Sequence, residues 1–184
     1  ALFFLSSPAT FFASTTVNTD TVLAAMLTLA MTCYAQTRFA GKSNYWLDAM
    51  WLAFGLAFLT KGPPALLPLL VVLVFDIWHK QAKSLFRPLG LLAFVLVGFS
   101  WYLVVILRHP GLLDYFLGHE VYARIATDEH KRNSEWYGAL KIYLPVLLLG
   151  VLPWILVLLK QYRAKTLTLE PFPLNQRRFL WLWF

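Results

Sequence analysis

Long apolar runs alternate with short polar segments along most of this 184-residue sequence. An apolar run of about 20 residues is long enough to cross a membrane as a helix, and residues 88–107 reach that length. The runs at 45–60 and 64–78 are shorter, which favours a tight hairpin with residues 60–64 at its tip. The pattern predicts an all-α, polytopic transmembrane bundle with spans at 1–16, 21–37, 45–60, 64–78, 88–107 and 142–159, and another beginning at 179–184.

Both ends of the sequence lie within apolar runs, at Ala1 and at Phe184. We therefore expect residues 1–184 to be a fragment of one longer transmembrane domain. No basic segment precedes the first apolar run, so the sequence predicts no cleavable signal peptide. The single cysteine, Cys33, lies inside a predicted span, which excludes a disulfide framework.

The composition narrows the class of protein. Charged residues make up 14% of the chain, whereas soluble domains carry about 25%. The abundant Trp, Tyr and Phe suit anchoring at two membrane interfaces. The sequence contains no Walker motif, no GxGxxG, no HExxH and no zinc-spaced Cys/His set, so we predict no ATP or dinucleotide site. The net charge of +7 comes from short basic clusters at span ends, which excludes a nucleic-acid partner and favours membrane lipids.

Charges are distributed unevenly between the two sides that alternating spans define. One side carries few acids and many bases, and the positive-inside rule makes that side cytoplasmic. Asp20, Lys61 and the polar segment 108–141 then share the opposite, periplasmic or extracellular side of a bacterial inner membrane. The charges of the cytoplasmic side are Arg38, Lys42, Lys80, Lys83, Arg87, Lys160, Arg163, Lys165, Arg177 and Arg178 against Asp48, Asp76 and Glu170.

The polar segment 108–141 is the longest one in the chain and lies between two predicted spans. Its many opposed charges need solvent, partners or a ligand. One interpretation is a solvated loop with a surface helix, and the other is a loop that covers a site at the membrane face. The second is favoured because Asp20 and Lys61 are predicted on the same side. The charged residues are Arg108, Asp114, Glu120, Arg124, Asp128, Glu129, Lys131, Arg132, Glu135 and Lys141.

Residues 110–126 are predicted to form a juxtamembrane helix, since an apolar residue recurs at every fourth position. Glu120 and Arg124 are spaced as a surface ion pair, or they serve an acceptor or metal and a phosphate, respectively. His119 is a candidate metal ligand, but adjacent helical side chains point about 100° apart, so His119 and Glu120 cannot both bind one ion. The apolar positions are Leu113, Leu117, Val121 and Ile125.

Asp20 and Lys61 each admit two interpretations. Asp20 begins a predicted span, where a carboxylate either caps the helix or supplies an acid at the mouth of a membrane cavity. Lys61 precedes Gly62 and Pro63 between two apolar runs. Its ammonium either extends to phospholipid headgroups or pairs with the phosphate of a specifically bound lipid.

Four pieces of the sequence carry a resemblance to a known family. They are NTDTVLAAMLTLA, LTKGPPALLPLL, the E-x-x-x-R formed by Glu120 and Arg124, and EWYGALKIYLPVLLLGVLPW. In this order and spacing they resemble the bacterial lipid-linked sugar transferases of the GT-C class, a group that includes aminoarabinose transferases and protein O-mannosyltransferases. The resemblance covers nearly all of the chain.

The resemblance implies a multi-spanning inner-membrane enzyme that moves a sugar from a polyprenyl-phosphate carrier to a lipid, glycan or protein acceptor. It implies catalytic roles for Asp20 and Glu120, carrier binding by Lys61 and Arg124, and His119 near a divalent-metal position that some relatives use. The family's principal catalytic acid belongs to a first outer loop that precedes this sequence, so we expect the fragment to lack it.

Glycosyl transfer with inversion at the anomeric carbon is therefore the function that the sequence predicts. The rival class is a transporter or flippase for a lipid-linked or anionic substrate, in which Asp20 and Glu120 would bind ions. Transporters tend to keep ionisable groups near the midplane, and the charges here cluster at one face. A structural membrane subunit with a lipid-binding surface is the third alternative.

Overall fold

The computed structural model describes residues 6–16, 18–109, 111–114, 137–164 and 173–183. All regular secondary structure in these ranges is helical, which confirms the all-α prediction. The helices are α1 (Pro8–Thr15), α2 (Thr19–Arg38), α3 (Tyr45–Lys61), a 3₁₀ turn (Pro63–Leu66), α4 (Leu67–Trp78), α5 (Ala82–Leu85), α6 (Pro88–Arg108), α7 (Leu112–Asp114), α8 (Gly138–Arg163) and α9 (Leu174–Trp183).

The chain divides into two compact units. The smaller unit comprises Ala1–Asn18 and Pro110–Glu170, and the larger comprises Thr19–His109 and Pro171–Phe184. In the smaller unit α1 packs on α8, where the Ser7 hydroxyl donates a hydrogen bond of 2.6 Å to the carbonyl of Gly150. Helix α8 is assigned as one uninterrupted helix through Pro145 and Pro153.

Helices cover most of the described residues of the predicted spans, although α8 begins at Gly138 and α9 at Leu174, before the predicted starts at 142 and 179. Helices α2, α3 and α6 begin and end within two residues of the predicted boundaries. The run predicted to begin at Pro64 starts as a 3₁₀ turn and becomes α-helical at Leu67. Within the described ranges, α6 is the one helix that is both long and apolar enough to cross a membrane by length and composition.

Helix α3 is the centre of the larger unit. It packs against α2 on one side and against α6 on another. From Ala49 to Leu59 its side chains are apolar on every face, which is typical of a helix surrounded by protein or lipid. The side chains of Leu47, Met50, Phe54 and Ala57 are fully buried. Because α3 contacts both α2 and α6, residues from other helices can contact either end of it.

Glycine residues let α3 and α6 approach closely. A Cβ atom added to Gly55 would lie 3.1 Å from the Cα atom of Phe94, and one added to Gly98 would lie 3.5 Å from the Cα atom of Gly55. Backbones in contact leave no room for larger side chains, which is how small residues support helix association in membranes.

We expect Gly55→Val to destabilise the intact protein by about 1 to 3 kcal/mol, the usual cost of overpacking a tight core. The two nearest atoms belong to the backbone of α6 and cannot rotate away as a side chain could. Thermal unfolding of detergent-solubilised protein measures the effect. Gly111→Val is the control, because no atom of the described residues lies within 4 Å of a Cβ there. Equal destabilisation by both variants would refute the close approach.

Ion pairs fix the directions of the helices in the larger unit. Arg38 at the end of α2 pairs with Asp76 near the end of α4, and Arg87 just before α6 pairs with Asp48 near the start of α3. Short connections join α2 to α3 and α4 to α6, so α2 and α4 end where α3 and α6 begin. This up-and-down arrangement is the alternation on which the predicted sidedness depends.

Candidate active site

Asp20 and Lys61 meet at one end of the larger unit. Asp20 lies in the first turn of α2 and Lys61 is the last residue of α3, so both charges suit the dipoles of their helices. The Lys61 ammonium donates to Oδ1 of Asp20 and forms an ion pair with it. The Asp20 side chain is 54% exposed and that of Lys61 is 37% exposed, so a ligand can reach both.

The turn after Lys61 depends on Gly62. Its φ of 70° and ψ of −141° lie in a region that is nearly restricted to glycine. The Gly62 amide donates a 2.6 Å hydrogen bond to the carbonyl of Phe58 and closes the last turn of α3. The 3₁₀ turn then starts at Pro63, whose ring suits a first helical position. The Gly62 turn and the 3₁₀ turn that follows it therefore fix the position of the backbone at Lys61.

This pair has the chemistry of an anion site with a built-in counter-ion. A lysine ammonium has three N–H donors, so it can hold Asp20 and still donate to an incoming phosphate oxygen. The exposed carboxylate can accept a proton or a hydrogen bond from a second ligand. The arrangement therefore suits a reaction in which an anionic leaving group departs while a hydroxyl group is deprotonated.

The remaining predicted site residues lie outside the described residues. These are His119, Glu120 and Arg124, together with most of the predicted juxtamembrane helix, of which α7 is described. Their roles stay predictions. Among the described residues no group of three or more His, Cys, Asp or Glu side chains could hold a metal ion, and the proposed metal position at His119 is not among them.

A buried polar cluster that the sequence analysis did not single out occupies the opposite end of the larger unit. Asp76 is fully buried and accepts hydrogen bonds from the Tyr34 hydroxyl at 2.6 Å and from Nε of Arg38 at 3.1 Å. Nη2 of Arg38 pairs with the second carboxylate oxygen and also donates to the Ser84 hydroxyl at 2.9 Å. With both oxygens engaged and no exposed surface, this carboxylate serves structure.

A second ion pair at the same end is more exposed. Nε of Arg87 lies 2.9 Å from both carboxylate oxygens of Asp48, and its Nη2 lies 2.8 Å from one of them. Hydrogen bonding to Asp48 raises the pKa of the Arg87 guanidinium above its ordinary value. From the sequence alone, Asp48, Asp76, Arg38 and Arg87 are predicted only as charges on the cytoplasmic side. The signal for a partner was available in Asp76, since an acid next to an apolar run needs one.

The first 116 residues of the chain match a known protein family. Residues 1–116 match the family model "Dolichyl-phosphate-mannose-protein mannosyltransferase". No solved structure matches the chain.

The curated relatives carry one recurrent name, undecaprenyl phosphate-alpha-4-amino-4-deoxy-L-arabinose arabinosyl transferase. The Yersinia enterocolitica relative is 32% identical over 183 residues, which cover 94% of this chain and 32% of the relative. The Aeromonas hydrophila relative is 36% identical over 151 residues, covering 76% and 26%, respectively. A relative from Pseudomonas fluorescens is 38% identical over 113 residues, covering 60% and 20%.

These matches cover a large part of this chain but only a small part of each relative. The chain spans between a fifth and a third of the length of these curated relatives. The family model, in contrast, matches well over half of the chain, including α2, α3, α4 and α6 and therefore both Asp20 and Lys61. The chain belongs to the dolichyl-phosphate-mannose-protein mannosyltransferase family.

Proposed function

We propose that the intact protein is a membrane glycosyltransferase that moves a sugar from a polyprenyl-phosphate donor to a lipid, glycan or protein acceptor at the periplasmic face. The family membership carries this proposal. The names of the relatives specify an undecaprenyl-phosphate donor, and the family name specifies a dolichyl-phosphate donor. Both are isoprenoid phosphates joined to a sugar, and this common chemistry is the donor class that we assign.

The proposed setting is a polytopic GT-C-like bundle in the inner membrane, with residues 1–184 forming part of one transmembrane domain and 110–126 a periplasmic juxtamembrane helix. The large apolar side chains on the outside of α6 support it, because lipid accepts them without cost. Leu92, Leu96, Leu103 and Leu107 are each more than half exposed. The helix directions support the predicted sidedness, with Asp20 and Lys61 at the periplasmic end.

In the proposed reaction the acceptor oxygen attacks the anomeric carbon from the face opposite the phosphate. The bond between that carbon and the phosphate oxygen breaks, and its electron pair leaves with the polyprenyl phosphate. The configuration at the anomeric carbon is therefore inverted. The acceptor proton passes to a carboxylate that acts as general base. Cations beside the phosphate stabilise the charge that builds on the leaving group.

Lys61 is the described residue best suited to hold the phosphate. Asp20 keeps its ammonium at the mouth of the site, and the exposure of both side chains leaves room for the donor headgroup. Asp20 is also a candidate for the general base. Glu120 and Arg124 keep the roles that the resemblance implies, as a second acid and a second phosphate-binding cation.

We expect cysteines placed in the segment 128–134 to react with a membrane-impermeant thiol reagent in whole cells with a permeabilised outer membrane. Cysteines at Gln81 or Gln161, both exposed, should not react until the inner membrane is opened. The native Cys33 is buried and is replaced by alanine to remove background. The opposite labelling pattern would overturn the proposed sidedness.

A transfer assay with the intact protein tests the function itself. Purified protein in detergent receives a polyprenyl-phosphate donor with a radiolabelled sugar and native membranes as the acceptor source. Label should move into an acceptor product with the release of one polyprenyl phosphate per sugar transferred. A transporter would instead move the donor across a liposome membrane with its sugar–phosphate bond intact, and that result without transfer would refute the proposal.

A further inference from the structure

The hydroxyl of Tyr102 reaches the end of α3 from a neighbouring helix. Tyr102 lies on α6, and its hydroxyl is 3.5 Å from the carbonyl oxygen of Phe58, to which it donates a hydrogen bond. The same carbonyl accepts the Gly62 amide that closes α3. The Tyr102 and Phe58 rings also pack together, with centroids 5.6 Å apart. A single carbonyl therefore joins the turn after Lys61 to α6.

The hydroxyl also lies directly against Gly62. A Cβ atom added to Gly62 would be 3.1 Å from the Tyr102 hydroxyl oxygen and 4.0 Å from the ring carbon that carries it. The hydroxyl oxygen is thus the atom of Tyr102 nearest to this position. The residue between Phe58 and Gly62 that projects towards Asp20 is Lys61. Any shift of this turn moves the base of the lysine side chain.

We propose that Tyr102 is a positioning residue, whose hydroxyl holds the turn that presents the Lys61 ammonium to the donor phosphate. This inference rests on the function proposed above. Misplacement of a binding group by about 1 Å can cost a factor of 100 in rate. The hydrogen bond from the Tyr102 hydroxyl on α6 to the Phe58 carbonyl on α3 would prevent such a shift of the turn. The ring alone, without its oxygen, would support the packing of Phe58 but not the turn.

Tyr102→Phe separates these two contributions, because it keeps the ring and removes the oxygen. In the intact protein we expect KM for the polyprenyl-phosphate donor to rise roughly 3- to 10-fold, the range that one neutral hydrogen bond represents. Thermal unfolding should change little. Tyr162→Phe is the matched control, since Tyr162 is an exposed tyrosine in the last turn of α8, and it should leave KM unchanged.

The effect should also depend on Lys61. Added to Lys61→Ala, Tyr102→Phe should have no further effect on donor affinity, because the group that it positions is gone. Equal factors in the presence and absence of Lys61 would overturn the proposal and assign Tyr102 to general packing. A Tyr102→Phe variant with the KM of the Tyr162→Phe control would overturn it as well.

Equilibrium binding distinguishes a failure of this inference from a failure of the proposed function. If the protein transfers no sugar, the proposed function fails, and Tyr102 is then judged by the affinity for polyprenyl phosphate relative to neutral polyprenol. Tyr102→Phe should weaken binding of the phosphate and not of the alcohol. A variant that weakens binding of both the phosphate and the alcohol, or of neither, contradicts the positioning role.

Discussion

Lys61→Ala is expected to lower donor affinity or turnover of the intact protein by roughly 10- to 100-fold, equivalent to about 1.4 to 3 kcal/mol. A lysine beside a partly dehydrated phosphate experiences a dielectric well below that of water, so their attraction is strong. Removal of Lys61 also takes away the cation that pairs with the Asp20 carboxylate. Sugar release from a polyprenyl-phosphate donor, in detergent or liposomes, measures the change.

Two further variants make this expectation specific. Lys61→Arg should restore activity only in part, because a broad planar guanidinium does not fill a space suited to a compact ammonium. Lys83→Ala is the control, since Lys83 is an exposed lysine in α5 and lies at the other end of the helices. If Lys61 only extends towards phospholipid headgroups, all three variants will turn over donor as the unaltered protein does. That outcome, at equal amounts of folded protein, removes Lys61 from the site.

Arg38→Met is expected to destabilise the intact protein by about 3 to 5 kcal/mol, because it leaves a buried charge without its partner. The side chains of Asp76 and Arg38 are 0% and 8% exposed, so water cannot replace the lost guanidinium. Tyr34 would remain as a donor to Asp76, but one hydroxyl cannot neutralise a carboxylate. Thermal or denaturant unfolding in detergent measures the loss.

The double variant Arg38→Met/Asp76→Leu should recover much of this stability. Apolar replacements of a buried ion pair are often neutral or stabilising, since neither charge then has to be desolvated. Lys42→Met, which alters an exposed lysine a few residues beyond Arg38, should have little effect. A double variant that unfolds as early as Arg38→Met would show that the cost arises from lost packing and not from the unpaired Asp76.

The expected effects at Lys61 and at the Arg38–Asp76 pair assign function and stability to opposite ends of the larger unit. Lys61 is exposed, so its replacement should change donor handling more than folding. Asp76 is buried and held by three donor groups, so its environment should matter for folding and little for donor affinity. Measuring both properties for both variants tests this division of roles directly.

The sequence by itself determined the helices and their direction. A run of apolar residues predicts a helix because the determinants of the helix are local in sequence. Its backbone hydrogen bonds join residues four positions apart, and each apolar side chain gains free energy when it leaves water. The boundaries of α2, α3 and α6 followed from these runs, and charge bias placed Asp20 and Lys61 on one side. The resemblance supplied the family, which the comparison confirmed.

Only the tertiary structure decided which side chains meet. From Ala49 to Leu59 helix α3 is apolar on every face, so its sequence does not state which face turns to α2 and which to α6. The close contact at Gly55 lies on the face that α3 turns to α6, and in this packing Tyr102 lies beside Gly62, 40 positions away in sequence. Arg38 of α2 meets Asp76 of α4 across 38 positions. Pairing across such distances depends on how whole helices pack, because a residue's partner is chosen by rotation and spacing and not by its neighbours.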